Sequence, residues 1–100
     1  MTPQLRTTVV EQGRSVRLLV TGEIDLASYE QFEHAVVEAA RQHGRILLDL
    51  TKVQFMSSVG IRVLYTHRDQ VKAVLVRPGS IITRALSIAG LETVIPVDSE

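Results

Sequence analysis

The sequence predicts one α/β domain: an N-terminal β-hairpin, then alternating helices and strands, with a mixed, mostly parallel sheet and the helices packed on one face. Three observations carry this. Apolar residues alternate at period two near the N-terminus and later fall into short continuous runs, while the segments between those runs show helical spacing. Serines stand where helices would begin, and glycines where two of them would stop. Strand–helix–strand crossovers are right-handed in nearly all proteins, so strands joined through helices pair in parallel. At 100 residues the chain has the length of a single domain with a single core, residues 1–100.

Taken in order, residues 5–10 and 16–21 read as two strands, with Val16, Leu18 and Val20 alternating and Gln12-Gly13-Arg14-Ser15 supplying the turn. Gly22 punctuates the second strand. The first helix starts at Ser28, with Gln31 at the spacing of a capping box. Phe32, Ala35, Val36, Ala39 and Ala40 form its apolar stripe, Glu30, Glu33 and Arg41 fall toward water, and Gly44 offers a left-handed stop. Ile46-Leu47-Leu48-Asp49-Leu50 reads as a strand buried on both faces. A second helix runs from about residue 58 to 67, and residues 72–76 form the next strand, ended by Pro78-Gly79. Ser80 caps a third helix with Ile81, Ile82, Ala85, Leu86 and Ala89 inward, closed by Gly90 and Leu91 as in a Schellman end. Val94-Ile95-Pro96-Val97 is the last strand, and its proline predicts an edge position.

Composition narrows the function. Lysine plus arginine equals aspartate plus glutamate at 11 each, so no long-range field selects nucleic acid or an anionic membrane. Without cysteine there is no disulfide framework, thiolate nucleophile or cysteine-rich zinc site. The chain opens Met-Thr-Pro-Gln-Leu-Arg, unlike a signal peptide, and no apolar run approaches the ~18 residues of a membrane helix. A cytoplasmic protein without membrane insertion is the expectation.

Chemistry-bearing motifs are few. No glycine-rich phosphate loop is present, and Gly22-Glu23-Ile24-Asp25-Leu26-Ala27-Ser28 at the first crossover holds a single glycine, so no nucleotide cofactor is expected. His34, His43 and His67 suit no zinc spacing and read as solvated helix residues, so no metal is expected either. A triad of Ser57 or Ser58, a histidine and Asp49 is formally possible, but no G-x-S-x-G elbow surrounds either serine. Catalysis is not expected. The informative stretch runs from Leu48 to Leu64, where a strand ends, a short connection follows, and Ser57 and Ser58 meet Gly60 at a helix start. One serine suffices as N-cap, and the second has no such need. Gly60 costs ~1 kcal/mol against alanine inside a helix, which suggests that another chain approaches the backbone there. A phosphate on a serine here would lie against free amide hydrogens and the positive helix end.

At these residues the chain resembles the STAS family, whose founding members are bacterial anti-sigma factor antagonists. Gly22-Glu23-Ile24-Asp25 is similar to the family's G-E-[LI]-D turn, and Asp49-Leu50-Thr51-x-Val53-x-Phe55-Met56 to its D-L-[ST]-x-[VL]-x-F-[ML]. Ser57-Ser58-Val59-Gly60-Ile61 stands in place of D-[ST]-[STA]-G-[LI], and Leu86-Ser87-Ile88-Ala89-Gly90-Leu91 resembles the late L-x-x-[AST]-G-[LI]. The resemblance spans nearly the whole chain. It implies a switch: the unmodified protein binds an anti-sigma factor that is also a serine kinase, the sigma factor is released, phosphorylation dissociates the complex, and a serine phosphatase resets it. The phosphoacceptor position falls on Ser58, with Ser57 as the rival, and Glu23, Asp25, Ser57, Ser58, Gly60, Ile61 and Arg62 are the implied partner contacts. Ser57 stands where the family carries aspartate, Val59 where it carries a small or hydroxyl residue, and the second helix is expected to be about a turn short. Family members often continue into another helix beyond the point reached by Asp98-Ser99-Glu100. The missing aspartate leaves a second reading, a STAS interaction module that is not phosphorylated, such as a subunit of a lipid-transport complex.

Overall fold

A computed structural model describes residues 4–100. The chain begins with a hairpin of β1 (Leu5–Gln12) and β2 (Ser15–Ile24), followed by α1 (Tyr29–His43), β3 (Ile46–Met56), α2 (Ser58–Thr66), β4 (Val71–Val76), α3 (Ile81–Ile88) and β5 (Val97–Ser99). Single 3-10 turns, Arg68–Gln70 and Leu91–Thr93, precede β4 and follow α3. The five strands lie in the order β1-β2-β3-β4-β5. β1 and β2 are antiparallel, and every later neighbour is parallel. Because each right-handed crossover moves one strand in the same direction, α1, α2 and α3 all fall on one face.

That face holds the core. Val16, Leu18 and Val20 from β2 and Ile46, Leu48 and Leu50 from β3 meet Phe32, Val36 and Ala39 of α1, Leu64 of α2 and Leu86 of α3, all buried. On α1 the 3.6-residue spacing of the stripe explains which side turns inward, with Ala35 half-buried at its margin. Gly44 closes that helix at φ 80°, a conformation that glycine adopts without steric penalty. Near the same end Arg41 and Gln42 hydrogen-bond Glu38 and hold its carboxyl down to about 2.

Several details differ from the sequence expectations. β3 runs to Met56 because residues 52–56 continue along β2, with register shifts that accommodate extra residues on β3. Along that second half β3 has no pairing with β4, which stops at Asp49 opposite Leu75. Ser28 and Gln31 form no capping box. The Ser28 hydroxyl donates to the Glu23 carbonyl at 2.8 Å, and Gln31 reaches across to the Leu5 carbonyl at 3.1 Å. On α3 only Ile82 and Leu86 are buried, while Ile81 is 63% exposed and Ala89 also faces out. The last strand starts later than expected, at Val97, because Leu91–Thr93 form a turn and Ile95 drops into the core. β5 is an edge strand, as β1 is at the other end, with Pro96 just before it rather than within it.

Candidate functional site

Two connections leave the sheet side by side. β2 ends at Ile24 opposite Met56, the last residue of β3, and the Ser57 amide continues the ladder to the Ile24 carbonyl at 2.9 Å. The β2–α1 loop and the start of α2 are therefore held together by main-chain bonds, and Glu23, Asp25, Ser57 and Ser58 are brought to one place.

The loop itself is braced from within. The carbonyl of Asp25 accepts from Ser28 N at 3.1 Å and Tyr29 N at 2.8 Å, and its carboxylate accepts from Ala27 N at 2.9 Å and from the Gln4 side chain. Asp25 N in turn donates to the Ser28 hydroxyl at 3.0 Å. The Asp25 carboxylate is thus occupied in shaping its own turn, while Glu23 and Leu26 face solvent. Gly22 allows the approach: at φ 112° any Cβ would lie 2.1 Å from the Gln4 carbonyl oxygen.

Helix α2 has a solvent face of Ser58, Arg62, Tyr65 and Thr66, spaced i, i+4, i+7 and i+8, and a core face of Gly60, Val63 and Leu64. Ser58 is the first helical residue, exposed, with no acidic residue in the first turn. Ser57 is the N-cap, and its carbonyl accepts from Gly60 N at 3.1 Å and Ile61 N at 3.3 Å. Its hydroxyl makes no cap bond: the Ser57 Oγ is buried and has no partner among the described residues.

Two sequence-derived assignments change here. Gly60 is buried, and a Cβ on it would stand 2.8 Å from Ile24 Cγ2 and 2.9 Å from Met56 Cγ. The close approach inferred for a partner is made by the chain's own core, so Gly60 fits α2 to the ends of β2 and β3 and presents no surface to another molecule. Ile61 is half-buried and packs against the core, which leaves Arg62 as the exposed residue of that pair.

Beside Arg62, residues that the sequence did not assign to the site also border it. Leu26, Tyr29, Glu33, Val59, Arg62, Val63 and Thr66 line a hollow of about 450 Å³ between α1 and α2, next to Ser58. Leu26 is 76% exposed. Its signal in the sequence is an apolar residue between Asp25 and Ser28, outside the stripe of α1. Glu33, on the α1 side of the hollow, is bound by His67 at the end of α2, which is not a free surface residue. Its Nε2 lies 2.8 Å from the Glu33 carboxylate and its Nδ1 2.9 Å from the Gln70 side-chain oxygen. Since α2 has nine residues, His67 and Ser58 sit at opposite ends, roughly 13 Å apart along the axis. Asp49 is buried on the sheet, bonded to Arg17 at 3.4 Å and to the Thr51 hydroxyl at 2.6 Å. These positions bring no serine, histidine and aspartate together.

The comparisons agree with this architecture. The sequence model of the STAS domain matches residues 6–100. The anti-sigma-F factor antagonist RsfB of Mycobacterium tuberculosis is 30% identical over 93 residues, covering 88% of this chain and 76% of that protein. The crystal structure of an anti-sigma factor antagonist from Mycobacterium paratuberculosis superposes with a TM-score of 0.84 at 24% identity, covering 96% of this chain and 86% of the other. The unphosphorylated form of the anti-sigma factor antagonist SpoIIAA gives a TM-score of 0.70 at 17% identity, over 95% of this chain and 90% of its own. These two likenesses establish the shared fold.

Proposed function

This chain belongs to the STAS family, and from that premise we propose that it is an anti-sigma factor antagonist switched by phosphorylation of Ser58. A relative of 30% identity carries the name anti-sigma-F factor antagonist. The observation that carries the finer reading is the start of α2, where the Ser58 hydroxyl lies in solvent at a helix start without acidic residues. The unmodified surface of Glu23, Asp25, Leu26, Ser58 and Arg62 binds an anti-sigma factor and frees the sigma factor. When that anti-sigma factor is also a serine kinase, ATP adds ~1.5 to 2 negative charges inside the contact. Repulsion and the cost of desolvating the phosphate then open the complex, and a serine phosphatase reverses the step. The kinase and the phosphatase carry out the chemistry; this chain is their substrate and needs no cofactor. The role places it in the cytoplasm with the sigma factor, and no helix among the described residues is long and apolar enough to cross a membrane.

One observation favours a second reading. Ser57 replaces the family's carboxylate beside the acceptor, which removes a feature that a kinase could recognise and suits an unphosphorylated binding module. The test uses the anti-sigma kinase encoded in the source organism, mixed with this chain with and without ATP and followed by size exclusion and intact mass. The proposal expects a complex without ATP, and its loss together with a gain of one phosphoryl mass when ATP is added. A complex that ignores ATP, with no gain in mass, selects the unphosphorylated module. No complex at all refutes the antagonist reading.

A further inference from the structure

We propose that Arg62 is the intramolecular counter-ion of Ser58 once that serine carries phosphate, so that modification withdraws a cation from the partner surface as well as adding anions to it. The proposal rests on the reading of Ser58 as the acceptor.

Ser58 is the first residue of α2 and Arg62 lies four residues on, both exposed on the same helix face. Residues at this spacing stand about 5–6 Å apart at Cβ, and an anion N-terminal to its cation is the better of the two orders. The Arg62 guanidinium makes no hydrogen bond or ion pair among the described residues. Arg17, Arg41 and Arg68 are engaged by contrast: Arg17 by Asp49, Arg41 by Glu38, and Arg68 by the Tyr65 carbonyl and ring. Nor is Arg62 claimed by neighbouring acids. Asp25 is occupied by Gln4 and Ala27, and Glu33, across the hollow, by His67. Glu23, next to last in β2, is the exposed acid left at the adjoining strand end.

Arg62 borders the hollow beside Leu26 and Tyr29. In the unmodified protein its guanidinium is available to a carboxylate of the partner. A phosphate one turn back offers three acceptor oxygens and a higher charge, and the planar fork of arginine matches such an anion with two parallel bonds. Phosphorylation therefore draws the side chain toward Ser58 and away from the hollow.

The test installs phosphoserine at position 58 by genetic encoding and follows the ³¹P resonance against pH at low ionic strength. It compares the native chain with Arg62→Gln and Arg62→Lys. Because no kinase is used, the result is independent of whether a kinase recognises the site. The proposal expects the second ionisation of the phosphate, ordinarily near pH ~6, to fall about 0.15–0.4 unit lower with Arg62 than with glutamine. Lysine should restore most of that shift, and ~1 M salt should erase it. Superimposable titrations for the native and Arg62→Gln proteins overturn the proposal, as does a difference that survives high salt. Both replacements are at an exposed position, and an unchanged amide spectrum confirms the fold in each.

Discussion

Helices α2 and α3 both open on a serine in extended backbone, Ser57 at φ −85° and ψ 175° and Ser80 at φ −76° and ψ 166°. At α3 the serine completes its cap, with Oγ accepting from Thr83 N at 3.2 Å. The Thr83 hydroxyl adds a 2.7 Å bond to the Arg77 carbonyl, so the whole start of that helix is tied down. At α2 the corresponding third position is Gly60, whose amide goes to the Ser57 carbonyl, and the Ser57 hydroxyl is left buried without a partner. What anchors α2 is the contact of Gly60 with Ile24 and Met56 and the ladder bond from Ser57 to Ile24. The difference teaches how a helix start is freed for a second use. Where core packing and main-chain bonds fix the element, its first exposed side chain carries no structural duty, and at α2 that side chain is Ser58.

The comparison makes graded predictions for stability, read by chemical denaturation. Gly60→Ala has the largest effect. Helix propensity would favour alanine by ~1 kcal/mol, but the new methyl overlaps Ile24 and Met56, and overpacking of this kind costs ~1–3 kcal/mol. A net loss of up to about 2 kcal/mol is expected, and a gain would show that the core yields and that Gly60 does not anchor the helix. Ser80→Ala comes next, at about 1 kcal/mol, the usual cost of removing a working cap. Ser57→Ala should cost less than ~0.5 kcal/mol, because its hydroxyl forms no bond to lose and an unpartnered buried hydroxyl is itself unfavourable. Equal losses at Ser57 and Ser80 would erase the distinction between the two helix starts.

That Ser57 prediction departs from what its sequence position suggests, and the reason marks the limit of local reading. The start of α2 was legible, because two serines meet a glycine there, as at a helix start. The stripe of α1 and the hairpin turn at Gly13 were legible for the same reason: each depends on residues a few positions apart. The role of Gly60 was not, since it depends on Ile24 being its neighbour, thirty-odd residues away in sequence and adjacent only through the pairing of β2 with β3. Ser28 repeats the lesson. Its spacing to Gln31 satisfies a capping box, yet the turn at Asp25 claims its hydroxyl first. The late start of β5 follows from Leu91 and Ile95 being drawn into the core, a tertiary demand that outweighs the β-propensity of Val94 and Ile95. At the site, the family resemblance supplied Ser58 and Asp25, whereas Leu26 and the hollow behind it emerged only when α1 and α2 were seen side by side.

In the proposed switch, the free hydroxyl at the start of α2 is the one that is modified. Phosphopeptide mapping after reaction with the cognate anti-sigma kinase and ATP tests it directly, using the native chain, Ser57→Ala and Ser58→Ala. Phosphate confined to Ser58, retained in Ser57→Ala and abolished in Ser58→Ala, is the predicted result. Phosphate on Ser57, or undiminished incorporation into Ser58→Ala, would contradict it.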